Sequence, residues 1–202
     1  MARELGVLVA GGRGSRLGAA TPKALVPLGG VPLLERALAI LSAVCDEVVV
    51  VAPAELALPA PGARRVNDPP GASGPLAGVV AGLGARGYER AIVLGVDFPF
   101  VPAAALAALR ERLGARAAVV PAPAGVLQPL AAAYAPRARA ALAAALARGA
   151  RALTAAVRAL DPVIVAGPEL EAIPGGAAGF FNLNTPADRD AAERRLGSRE
   201  IA

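Results

Sequence analysis

LGVLVAGGRGSRLG, the stretch from Leu5 to Gly18, decides the fold. Leu5–Val9 is a short apolar run with β-branched members, and Ala10–Gly18 is a glycine loop. A run this short and this uniformly apolar reads as a strand buried on both faces, as in a parallel sheet. A glycine turn directly after such a strand aims backbone N–H groups outward, where they can hold phosphate oxygens or a base edge.

Outward from this unit, strand and helix patterns alternate. Pro32–Leu41 (PLLERALAIL) places its leucines on one stripe with Pro in the first turn, a helix. Glu47–Val51 reads as a second buried strand, Arg64–Asn67 as a short third and Ala91–Val96 as a fourth. Helices are expected over Gly74–Ala85 and Pro102–Leu113, with a strand over Ala117–Val120. Leu127–Tyr134 reads as a strand running in a different direction, followed by helices over Pro136–Ala147 and Leu153–Leu160. Strands over Pro162–Ala166 and Phe180–Leu183 precede a last helix from Pro186 to about Leu196, capped by Thr185. No long linker or internal repeat divides the chain. The expected fold is α/β: one Rossmann-like domain over residues 1–202, a three-layer α/β/α arrangement with a mostly parallel sheet. Ligands of such sheets bind outside the carboxyl ends of the strands. The glycine loop, Asp68, Asp97 and the Phe180–Thr185 segment all fall there.

Composition narrows the chemistry. Hydrophobic residues are 55% and charged residues 18% of the 202, enough for a sizeable core and too apolar for disorder. The absence of His excludes a Ser-His-Asp triad, a Cys-His pair and His-ligated zinc or iron. A single cysteine, Cys45, excludes internal disulfides, redox CxxC pairs and cysteine zinc clusters; it reads as a small apolar residue at the end of a helix. Carboxylates, Lys, Arg, hydroxyls, backbone amides and a hard metal remain. No apolar run reaches membrane-spanning length and the amino end lacks a signal-peptide pattern, so a cytoplasmic protein with no membrane partner is expected. The net charge is +5, but the arginines are scattered among acids, and two Tyr, four Phe and no Trp offer few stacking platforms. No nucleic-acid partner is expected.

Lys23 is the only lysine among 21 basic residues. Arg replaces Lys readily on solvated faces. A compact ammonium at a phosphate site is harder to replace with a planar fork, which makes Lys23 a candidate site residue. The loop before it fails two phosphate-binding patterns. GxGxxG needs Gly where Leu17 stands, and GxxxxGK[ST] fails because Lys23 lies between Pro22 and Ala24. A third pattern fits: Gly11-Gly12-x-Gly14-x-Arg16, a gap, then Pro22-Lys23. Arg13, Arg16 and Lys23 would set three cations around one short loop. Asp97, at a strand end and backed by Phe98-Pro99, is placed to bind Mg²⁺; the alternative is a turn-capping Asp. Asp68, in NDPPGAS, is open to the same turn reading. Asn182 and Asn184 are two apart, so on a strand both amides would share a face; a cap-and-turn role for Asn184 is the alternative.

The Gly11–Lys23 signature and the PKALVPLGGVPLLERAL stretch resemble the nucleotidyltransferase superfamily, whose fold is the nucleotide-diphospho-sugar transferase type. GPLAG (Gly74–Gly78), VDFPFVP around Asp97, QPLAAAY (Gln128–Tyr134) and FFNLNTPAD (Phe180–Asp188) resemble the molybdenum cofactor guanylyltransferases in particular. The resemblance runs in order over about residues 5–195. It implies Mg²⁺-dependent transfer of GMP from GTP to the phosphate of molybdopterin cofactor, with release of pyrophosphate. It implies Lys23, Arg16 and Asp97 as catalytic residues and Asp97 as metal ligand. Nucleotide contacts would come from Val9, Ala10, Gly11, Gly12, Arg13, Gly14, Lys23, Asp68, Gly74, Gly78 and Asp97. Gln128, Asn182 and Asn184 would hold the acceptor. Residues 1–100 would form the nucleotide half and 101–202 the acceptor half of a monomer or weak homo-oligomer. Two departures keep other branches in view. Thr21-Pro22-Lys23 looks more like cytidylyltransferases and sugar-phosphate nucleotidyltransferases, and Ala52-Pro53 stands where the guanylyltransferases often have Asn. A nucleotide-binding partner subunit without turnover is the alternative of a different class.

Overall fold

A computed structural model describes residues 3–11, 21–59, 62–69 and 71–200, the last two as backbone. The Leu5–Val9 run forms the centre of the sheet. Strand β1 (Glu4–Val9) is flanked residue for residue by β4 (Glu47–Ala52) and β6 (Arg90–Gly95), both parallel to it. β5 (Arg64–Asn67) adds to the far side of β4, also parallel. On the other side come β8 (Ala131–Tyr134), β7 (Ala118–Pro121) and β9 (Val163–Val165), giving the order β5-β4-β1-β6-β8-β7-β9. β8 is antiparallel to both neighbours, and every other pair is parallel. The mostly parallel α/β sheet is therefore as expected.

Alternation along β1 and β4 divides the core in two. Leu8, Val48 and Val50 face α1 (Leu33–Ser42) and α3 (Ala103–Glu111); Val7, Val49 and Val51 face α2 (Pro75–Gly82), α4 (Ala138–Ala147) and α5 (Leu153–Arg158). This makes three layers. α2 comes closest to the sheet at Gly82, where a Cβ would lie 2.1 Å from Val7 Cγ1. At the carboxyl end, α6 (Gly167–Glu171) and α7 (Gly176–Gly179) precede the long α8 (Pro186–Glu200).

The structure corrects several boundaries. The helix expected over Gly74–Ala85 stops at Gly82, and the strand expected over Ala91–Val96 starts one residue earlier, in register with β1. The strand expected over Leu127–Tyr134 shrinks to Ala131–Tyr134, because the chain before it turns back on itself, with Gln128 N donating to Pro121 O. The strand expected over Phe180–Leu183 is absent. Phe180 N closes a helical turn onto Ala177 O and Leu183 N donates to Asp97 O, so the segment joins no ladder. Its apolar residues reflect burial alone, with Phe180 2% and Leu183 1% exposed. A two-stranded hairpin, β2 (Pro27–Leu28) and β3 (Val31–Pro32), follows a 3-10 turn at Lys23–Leu25; the sequence reading had placed neither, nor α6 and α7.

Candidate functional site

A cavity of about 260 Å³ opens at the carboxyl ends of β1 and β6. Val9 and Gly11 line it from the end of β1, Val96 and Asp97 from the end of β6, Gly74 and Pro75 from the start of α2, and Lys23, Asp68 and Leu130 close it. Gly74 needs to be glycine, since its φ of 93° lies in the region L side chains avoid. That turn lets Pro75 begin α2 at the cavity, with the amino terminus of the helix facing it.

Gly11 keeps the first loop close to its neighbours. A Cβ there would lie 3.3 Å from Pro53 Cδ and 3.9 Å from Asp68 Oδ2. Gly78 lies one turn into α2 and has a packing role: a Cβ would meet Val9 Cγ1 at 3.1 Å and Asp68 Oδ1 at 3.7 Å. Ala10 is fully buried and donates its N–H to Val51 O at 2.8 Å. Gly12, Arg13, Gly14 and Arg16 lie outside the described residues.

Lys23 and Asp97 meet at the floor. Lys23 Nζ lies 3.5 Å from Asp97 Oδ2, and the two side chains are 12% and 15% exposed. Glycine at 95 is what lets the carboxylate fold back over its own strand end, because a Cβ there would lie 2.3 Å from Asp97 Oδ1. Gly95 N is held by Leu130 O at 2.6 Å, which brings β8 to the site. Lys23 Nζ also donates to Asn184 Oδ1 at 2.7 Å, and Asn184 Nδ2 donates to Asn182 Oδ1 at 2.6 Å. The asparagine pair is therefore part of the same polar chain as the lysine. Gln128 stands outside the cavity lining, half-buried in the turn before β8.

The segment carrying the asparagines is fixed by the cap of α8. Asp188 Oδ2 accepts from the backbone N–H of Asn184 and Thr185, and Asp188 N donates to Thr185 Oγ1. Burial alone would raise the Asp188 carboxyl, but these hydrogen bonds and the Lys23 charge outweigh it and hold the pKa below the ordinary Asp value. Asp68 shifts the other way: burial, then the Glu55 charge, push it above the ordinary value. Cys45 follows α1, and burial pushes its thiol up to about 12, which suits a packing residue.

Sequence reasoning had not marked Val96, Pro75 or Leu130. Each adjoins a residue or motif it had marked: Asp97, GPLAG and QPL. The pairing of Lys23 with Asn184 left no local signal, since 161 positions separate them.

As oxygen donors, Asp97 and Asp68 suit a hard cation. Among the described residues no group of three or more His, Cys, Asp or Glu side chains gathers as a self-sufficient metal cage. Such a site fits an ion that takes one or two carboxylates and completes its shell from phosphates and water. Gly11, a helix amino terminus, one lysine and two carboxylates around such a cavity are chemistry that suits a polyphosphate with its cation.

The profile of the MobA-like NTP transferase domain matches residues 6–163. The chain belongs to that family. A protein of Chloroflexus aggregans named "Probable molybdenum cofactor guanylyltransferase" is 40% identical over 206 residues, covering 97% of this chain and 96% of that protein. One of the same name from Natronomonas pharaonis is 33% identical, covering 97% of this chain and all of its own. Among solved structures, molybdopterin-guanine dinucleotide biosynthesis protein A from Archaeoglobus fulgidus superposes with a TM-score of 0.80 at 28% identity, covering 96% of this chain and 99% of the other. The 2-C-methyl-D-erythritol 4-phosphate cytidylyltransferase of Thermus thermophilus superposes with a TM-score of 0.72 at 25% identity, covering 98% and 100%. The fold is thus that of the nucleotide-diphospho-sugar transferases, and the family member is a nucleotidyltransferase of molybdenum cofactor biosynthesis. Among the described residues no helix is long and apolar enough to cross a membrane.

Proposed function

We propose that the enzyme transfers GMP from GTP to the terminal phosphate of molybdopterin cofactor and releases pyrophosphate. The observation that carries the reading is the polar cluster at the strand ends, where Lys23 and Asp97 line the cavity and Lys23 reaches on to Asn184. The guanylyl and molybdopterin assignments are supported by the names of relatives aligned over nearly the whole chain.

An oxygen of the acceptor phosphate attacks the α-phosphorus of the nucleotide. A P–O bond forms there, the bond from that phosphorus to the α–β bridging oxygen breaks, and pyrophosphate leaves with the electron pair. The attacking oxygen is already anionic, so no general base is needed. Catalysis then consists of positioning and charge neutralisation. Lys23 places its ammonium against the triphosphate, and the amino terminus of α2 and the amide of Gly11 face the same anion. Asp97 is the residue that would hold Mg²⁺, which supplies charge neutralisation for the departing pyrophosphate. Asp68 borders the nucleotide beside Gly11, and Asn182 lies toward the acceptor. On this reading residues 1–100 supply most of the nucleotide side and the carboxyl half the acceptor side.

Incubation with GTP, CTP, UTP or ATP, each with Mg²⁺ and molybdopterin cofactor, followed by mass detection of the dinucleotide, tests the reading. The guanine dinucleotide and pyrophosphate are expected from GTP alone. A product from CTP would make the enzyme a cytidylyltransferase, and tight GTP binding without any product would make it a non-catalytic subunit.

A further inference from the structure

We infer that Asn184 acts through Lys23: it is a positioning residue for the ammonium, and the donor face turned to the acceptor belongs to Asn182. This rests on the proposed nucleotidyl transfer, and it assigns the two asparagines different tasks.

The argument starts from what each group can do. A lysine ammonium only donates, so the Asn184 atom 2.7 Å from Nζ has to be the amide oxygen. With its oxygen committed there, Asn184 presents its NH₂ to Asn182, which therefore answers with its own oxygen at 2.6 Å. The orientation of both amides is thus set by the lysine. Beyond the pair Asn182 offers both N–H donors of its NH₂ group, suited to a hydrogen-bond acceptor such as a phosphate or carbonyl oxygen.

The backbone agrees with a positioning role. Asp188 fixes Asn184 N and Leu183 N is held by Asp97 O, so the amide is anchored from α8 and from the end of β6. The same α8 reaches the Lys23 side of the site, where Glu193 accepts from Gly29 N at 3.1 Å in the β2–β3 hairpin. α8 thus anchors the asparagine segment directly and also holds the hairpin that follows the Lys23 turn.

An amide suits the task better than a carboxylate. Lysine has a flexible four-carbon stem whose disorder would blur its position. Asp97 Oδ2, at 3.5 Å, is close enough for attraction, while the amide at 2.7 Å takes the shorter contact. A neutral acceptor orients the ammonium without adding a second negative charge to that of Asp97.

The test compares Asn184→Ala with Asn182→Ala in the full chain. Titration calorimetry with GTP and Mg²⁺, without acceptor, is the first readout. Asn184→Ala is expected to weaken GTP binding by about ten-fold or more and to lower kcat, with acceptor KM nearly unchanged. Asn182→Ala is expected to hold GTP affinity within about two-fold and to raise acceptor KM. Thermal melting of both variants reports their folding, and Asn184→Gln, which keeps an amide oxygen, should recover part of the GTP affinity. Wild-type GTP affinity in a folded Asn184→Ala variant, with acceptor KM raised, would overturn the inference. The same titrations with CTP separate it from the base assignment: a wild type that prefers CTP refutes guanylyl transfer, and the Asn184 effect is then read in CTP. A wild type that binds neither triphosphate overturns both.

Discussion

At the amino ends of the strands Glu4 lies between Arg90 and Arg110; at the carboxyl ends Lys23 lies between Asp97 and Asn184. The two centres are about equally buried, with Glu4 10% exposed and Lys23 12%. They differ in how charge is answered. Arg90 Nε meets Glu4 Oε1 at 2.9 Å and also reaches Glu111, Arg110 donates to Val44 O, and Arg3 and Arg64 converge on Glu47 nearby. That is a dense network in which opposite charges touch. At the other end lysine and aspartate stand 3.5 Å apart, and the short contact goes to a neutral amide. Charge at the first end is consumed by the fold. At the second the lysine and the carboxylate both line a cavity.

The largest effect expected from breaking this contrast is catalytic. Lys23→Ala and Asp97→Asn should each lower turnover by about a thousand-fold, the scale of losing one electrostatic contact to the transition state. Both variants should still fold cooperatively, with any loss of stability small beside the loss of turnover. Turnover is read by pyrophosphate release and melting by circular dichroism. A near-normal rate in either variant would refute the site.

The mirror-image change is Glu4→Ala. It leaves Arg90 and Arg110 facing each other without the carboxylate between them, and removes the acceptor of two Arg90 bonds. Removing one partner of a buried pair costs about 3–5 kcal/mol. Glu111 stays in reach of both arginines, so the expected loss is smaller, about 2 kcal/mol, measured by urea unfolding. GTP affinity should be unchanged, since Glu4 lies at the opposite end of β1. A variant that keeps its stability and loses nucleotide binding would invert the comparison.

The two ends were unequally legible in sequence. The apolar run of β1, the strand end at Asp97 and the isolated Lys23 are local features, and each carried its chemistry in its own neighbourhood. Glu4 gave no such sign, because its meaning depends on Arg90, 86 positions away. The asparagines were half legible. Their motif marked them as functional, but the expected strand that would have turned both to the acceptor did not form, and only tertiary contact revealed that Asn184 faces Lys23. Gly78 was legible as part of its helix, but not its close approach to Val9 Cγ1, which only the packing reveals. Hydrophobic pattern reports burial; it does not report which backbone or side chain answers a hydrogen bond.

Asp68 gives the smallest expected effect and the finest test of the contrast. Burial and Glu55 raise its pKa, so its ionised form is less favourable in the folded protein than in the unfolded chain. Above that raised value the carboxylate subtracts from stability, and the loss is relieved as pH falls through it and the group takes up a proton. Asp68→Asn removes the charge altogether. The variant should therefore melt slightly higher than wild type at neutral pH, and the difference should vanish on acidification below the ordinary Asp range. Its GTP affinity should fall, because the residue borders the cavity beside Gly11 and Gly74. A residue of the amino-end network cannot behave this way, since neutralising Glu4 removes an attraction. If Asp68→Asn instead lowers the melting temperature at neutral pH, the carboxylate is a structural turn residue and belongs with the consumed charges.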